Sequence, residues 1–75
     1  MKWVAVNSTN LSAIGYDPVR SELGIRFRES GKIYIYIDVP LDEYEAFMGA
    51  TSKGTYLNQV FKAKGYRYRA VGDSS

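Results

Sequence analysis

The chain of 75 residues contains no cysteine and no histidine. Without cysteine there can be no disulfide framework, thiol chemistry or thiolate metal site. Without histidine the usual general base and the commonest neutral metal ligand are missing. Carboxylates, lysines, tyrosines and hydroxyls remain, a thin set for catalysis. Long apolar runs are absent too: no stretch of about 18 apolar residues is present to span a bilayer. Nor does a basic-then-apolar leader open the chain. The expectation is a cytoplasmic binding protein with no membrane contact, no small-molecule cofactor, no metal site and no catalytic residues.

Charge of one sign is scarce in the C-terminal third. From Met1 to Glu45 there are five basic residues and seven acids, a net of −2. From Ala46 to Gly72 come Lys53, Lys62, Lys64, Arg67 and Arg69 with no acid, a net of +5. Such asymmetry points to an anionic partner, although solubility alone also accounts for it.

What is present is periodicity. "ELGIRF" sets Leu23, Ile25 and Phe27 against Gly24, Arg26 and Arg28, and "GKIYIYIDVP" sets Ile33, Ile35 and Ile37 against Tyr34, Tyr36 and Asp38. A period of two marks strands. If both apolar sets share one face, the hairpin loop must hold an odd number of residues. A three-residue loop, Glu29-Ser30-Gly31, meets this with Gly31 left-handed. It pairs Phe27 with Ile33, Arg26 with Tyr34, Ile25 with Ile35 and Leu23 with Ile37. Arg26, Arg28, Lys32, Tyr34 and Tyr36 then share the outer face.

Upstream, "SAIGYDPVRSE" reads as a strand closed by Asp17-Pro18 turn chemistry, and "KWVAV" as a short strand followed by polar "NSTN". Beyond Pro40 the period changes. Leu41, Tyr44, Phe47 and Met48 form a helical stripe, with Asp42, Glu43 and Glu45 at its positive end and Gly49 as its stop. Ser52 N-caps a second helix that buries Leu57, Val60 and Phe61 and ends at Gly65. "YRYRAV" reads as either a last strand or a basic aromatic tail, and residues 72–75 as a disordered tail. The fold class is α+β: an antiparallel meander of three to four strands with two short helices on one face, in a single domain over residues 1–71.

With these elements placed, the chain resembles the KTSC family, named for a domain at the C-terminus of some lysyl-tRNA synthetases. The resemblance is carried by "VNSTNLSAIGYD", "LGIRF", "GKIYIYIDVP" with its Tyr34-x-Tyr36 pattern, and "ATSKGTYLNQVFK" with Ser52, Gly54, Tyr56, Leu57 and Asn58. It covers roughly residues 4–66 and implies a free-standing bacterial form. RNA binding is the activity it implies, and it brings no catalytic set.

Two constellations fit that implication. Aromatic side chains stack on unpaired bases while cations follow the phosphates. Tyr34 and Tyr36 beside Arg26, Arg28 and Lys32 have that make-up, and the basic segment adds Lys53, Arg67 and Arg69. The competing reading is structural: the tyrosines shield the sheet or pack on Trp3, and Lys62 and Lys64 complement the end of their own helix. Asn58 and Gln59 read more readily as loop-bonding residues than as readers of base edges. Asp42, Glu43 and Glu45 read as helix-start residues rather than a metal or acid–base site. Gly54 in a first helical turn points to close backbone packing. The expectation is a non-enzymatic module for RNA or another single-stranded nucleic acid. Contacts to about three or four phosphates would give a log affinity–log salt slope near −2 to −3. The alternative is a protein-interaction or homodimer surface built on the same tyrosines.

Overall fold

The computed structural model describes residues 1–73. Five antiparallel strands follow one another in sheet order as in sequence: β1 (Lys2–Ala5), β2 (Leu11–Asp17), β3 (Glu22–Phe27), β4 (Lys32–Tyr36) and β5 (Tyr68–Asp73). Helix α1 (Leu41–Gly49) and a second helix lie between β4 and β5. The meander therefore has five strands rather than three to four: "KWVAV" supplies β1 as expected, and "YRYRAV" is a strand at the C-terminal edge. Of the tail expected over residues 72–75, Gly72 and Asp73 belong to β5, and residues 74–75 lie outside the described residues.

Local chemistry fixes the turns. The Asp17 carboxylate accepts from the backbone N–H groups of Val19 (3.0 Å) and Arg20 (3.2 Å), the side-chain-to-backbone turn expected of Asp-Pro. Gly31 takes φ 73° at the end of the β3–β4 connection. Ser52 caps the second helix by accepting from the Thr55 N–H, and Gly65 stops it at φ 74°.

The register of the central hairpin departs from expectation. The pairs are Leu23 with Tyr36, Gly24 with Ile35, Ile25 with Tyr34 and Arg26 with Ile33. Four residues, Arg28 to Gly31, separate the strands. An even count slips the partner by one and turns every β4 side chain over. Tyr34 and Tyr36 consequently lie on the helix side with Leu23 and Ile25. The isoleucines lie on the other face.

Two surfaces make that inversion favourable. On the helix side, Tyr36 packs edge-on to Phe61 at 4.9 Å between ring centroids, and Phe61 also meets Phe47 (5.4 Å) and Tyr66 (5.0 Å). Tyr16 stacks on Tyr44 at 4.9 Å and donates its hydroxyl to the Val39 carbonyl at 2.6 Å. Rings of this size bury about 150–250 Å² each, which reaches from the sheet to short helices where isoleucine would leave gaps. Leu11, Ile14, Leu23, Ile25, Val39, Phe47, Leu57 and Phe61 complete a fully buried core.

On the opposite face a row crosses all five strands: Trp3, Gly15, Gly24, Ile35 and Arg69. A Cβ on Gly24 would lie 2.6 Å from the Trp3 ring, and one on Gly15 would lie 2.9 Å from it. The two glycines form a furrow that holds the indole. Met1 enters the same furrow, and Ile35 beside it is buried. Both faces of the sheet thus carry apolar side chains, so alternation in β4 did not identify which one the helices cover.

The second helix opens as an α-helical turn (Lys53–Tyr56), widens into a π-helix (Leu57–Phe61) and tightens into a 3₁₀ turn (Lys62–Lys64). The wider turn keeps Leu57 and Phe61 in the core and rotates Val60, expected inside, out to 38 % exposure. Leu41, expected on the buried stripe of α1, is exposed, whereas Glu43 is buried. Gly54 packs closely as expected: its Cβ position lies 3.0 Å from the Asn10 amide, in the loop between β1 and β2.

Candidate nucleic-acid interface

The helix-side register builds a groove of about 520 Å³ between the β3–β4 hairpin, the β1–β2 loop and the second helix. Phe27 and Tyr34 are its aromatic wall, their rings edge-to-face at 5.3 Å. Lys32 from the hairpin and Lys62 from the second helix bring cations to the lining. Asn10 and Asn58 supply amides from opposite sides, and Glu29 one carboxylate. Asn58 lies within the π-helical turn, a deviation that recurs at functional sites.

Tyr34 continues this wall out of the groove. It stacks on Tyr68 of β5 at 5.1 Å with 18° between ring planes. Tyr68 also leans on Tyr36 at 5.1 Å, yet remains 56 % exposed. Phe27, Tyr34 and Tyr68 therefore form one aromatic row across β3, β4 and β5.

The structure separates the residues that the sequence grouped. Lys32 and Tyr34 line the groove. Tyr36 is buried beneath Phe61 and Tyr68, so it is neither a stacking platform nor the exposed anchor of a protein interface. Burial, followed by the neighbouring Tyr68 and Tyr34 phenols, raises the Tyr36 pKa and keeps its hydroxyl neutral. Arg28 holds the β1–β2 loop, donating to the carbonyls of Ser8 (2.9 Å), Leu11 (3.2 Å) and Val6 (3.3 Å). Lys53 donates to the Ala50 carbonyl at 3.0 Å, closing the turn before its own helix. By register, Arg26 and Arg69 belong to the face with Trp3, and Arg69 forms a fork with Glu22 at 3.3 and 3.5 Å. Arg67 precedes β5 and is exposed. The Tyr-Arg alternation of β5 is thus divided between two sides of the sheet.

Phe27 and Asn10 carry no site signal in the sequence, where Lys62 and Asn58 read as helix-end and loop-bonding residues and Tyr68 as part of a basic aromatic segment. Phe27 looked like plain core. Tyr68 could be assigned only once the register of β5 against β4 was known.

A second polar feature surrounds Glu43. The buried Glu43 carboxylate accepts from Lys64 Nζ, from the Tyr56 hydroxyl and from the Tyr66 hydroxyl, the last at 3.2 Å. It borders a smaller cleft of about 280 Å³ with Pro40, Asp42, Ala46, Lys64 and Tyr66. Burial alone would raise the Glu43 pKa. The three donors outweigh it and hold the carboxyl below its ordinary range. Every carboxylate partner belongs to the second helix or the residues just after it, so the cluster fastens α1 to the segment that leads into β5.

Among the described residues, no group of three acidic side chains is placed to hold a metal ion, and no helix is long and apolar enough to cross a membrane.

Comparison with known proteins agrees with this architecture. The KTSC domain family model matches residues 7–66. An uncharacterized protein of Stutzerimonas stutzeri (strain A1501) is 44% identical over 68 residues, which cover 91% of this chain and 94% of that one. A protein of Tsukamurella paurometabola is 36% identical over 66 residues, covering 88% of this chain and 92% of the relative. The crystal structure of a KTSC domain protein from Yersinia pestis superposes with a TM-score of 0.86 at 38% identity, over 95% of this chain and 97% of that one.

Proposed function

The chain belongs to the KTSC domain family, and from that premise we propose that it is a non-enzymatic binding module for single-stranded nucleic acid, RNA foremost. The site is the helix-side groove rather than the outer sheet face. The observation that carries this reading is the half-open aromatic wall of Phe27 and Tyr34 set between Lys32 and Lys62. An unpaired base presents a flat π face to such a wall, while its phosphates reach the two ammonium groups. Asn10 and Asn58 offer donors and acceptors to a base edge without requiring one sequence. Glu29 tempers the local charge, so binding is weak and tolerant of sequence.

Two lysines in place of three or four cations lower the expected salt dependence. A log affinity–log salt slope of about −1.4 follows from two phosphate contacts on a single strand. An NMR titration with a short single-stranded RNA at low salt tests the reading. Amide shifts should concentrate at Asn10, Lys32, Tyr34 and Asn58, with dissociation constants of about 10⁻⁴–10⁻⁶ M. Absence of shifts at about 10⁻³ M RNA, well beyond the non-specific range, would refute it. Shifts confined to the Trp3 face, together with a dimer by sedimentation, would transfer the function to protein association.

A further inference from the structure

Resting on that reading, we infer that the site holds two consecutive nucleotides: one base in the groove against Tyr34, and the next on the exposed ring of Tyr68. A large aromatic residue on an outer strand, 56 % exposed, would gain little by standing there alone. Tyr68 does not stand alone. Its ring is held nearly parallel to Tyr34 at 5.1 Å and braced by Tyr36 at the same distance. Tyr36 is in turn fixed by Phe61 from the second helix. A ring supported from below and open above is a rigid stacking platform, and rigidity lowers the ordering cost of binding.

The row has a direction. Groove, Tyr34 and Tyr68 succeed one another across β4 and β5, so a bound strand runs across the sheet rather than along it. Lys32 is in the strand that carries Tyr34, and Lys62 lies beside the groove. Phosphate contacts are thereby concentrated at the first nucleotide, and the second is held chiefly by stacking. Base identity at the second position should matter only through stacking strength, purines above pyrimidines.

Adenosine monophosphate and the dinucleotide ApA separate the two claims. The monophosphate carries at least as much negative charge, so tighter binding of ApA cannot come from electrostatics. The expected result is that ApA binds about five- to a hundred-fold more tightly, the contribution of one stacked base. Its second base should move the Tyr68 ring-proton resonances, which the monophosphate leaves in place. Tyr68→Phe keeps the ratio, while Tyr68→Leu, which keeps bulk over Tyr34 and Tyr36, reduces it to about one. Equal affinities of both ligands for the wild-type chain would overturn the second subsite while leaving the groove intact. If neither ligand nor a longer RNA binds, the groove reading itself fails, and the subsite with it.

Discussion

Replacing Glu43 by glutamine removes one charge from the interior while keeping the side chain's shape. In the native fold the carboxylate accepts from three donors, Lys64, Tyr56 and Tyr66. The amide retains one acceptor oxygen and turns an NH₂ toward groups that also donate. A hydrogen bond to a charged group contributes about 1.5–3 kcal/mol, and the loss of one such bond costs about that much. For a chain of this length the total stability is about 4–11 kcal/mol. The substitution should lower Tm by roughly 6–24 °C, read by circular dichroism at neutral pH.

The pH dependence has a definite sign. Because the native pKa of Glu43 is lowered from the ordinary 4.5, its contribution is complete above that value and is lost as pH falls through the native one. The gap between wild type and Glu43→Gln should therefore hold from neutral pH to about 5 and narrow on further acidification. At the other end, the hydrogen bond to Glu43 raises Tyr56 and Lys64, while burial chiefly raises Tyr66. Their contributions are present below their ordinary values and fade at strongly alkaline pH. A Tm loss under about 3 °C, or a gap that widens in acid, would refute the cluster as a clamp between α1 and the segment leading to β5.

Three further outcomes are expected. Tyr16→Phe leaves the buried Val39 carbonyl without its donor and should cost about 1–3 kcal/mol in urea denaturation, with an unchanged m-value. Gly54→Ala gains helix propensity of up to about 1 kcal/mol but pushes the Asn10 amide, so stability should not rise and the Asn10 resonances should move. Arg69→Gln should leave RNA affinity and its salt slope unaltered, because Arg69 lies across the sheet from the groove. A flattened slope in that variant would place the nucleic acid on the Trp3 face.

The amino-acid sequence by itself determined the central strands, the two helices and the turns between them, and left "YRYRAV" open between strand and tail. Asp17, Gly31, Ser52, Gly54 and Gly65 acted through backbone chemistry a few residues long, and the two-residue and helical periods marked strands and helices. The family was legible from the same order of short motifs. Which side of β4 meets the helices was not legible. Ile33, Ile35 and Ile37 and the pair Tyr34 and Tyr36 can each be buried, and the choice depended on distant partners. Trp3 fills a glycine furrow on one face, while Phe47 and Phe61 leave ring-sized space on the other. That single-residue slip moved the candidate site across the sheet, while alternation along β5 set Arg69 and Tyr68 on opposite faces. It also left Tyr68 as the exposed end of an aromatic row. Hydrogen-bond register is a relation between strands, so only the packed tertiary structure could decide it.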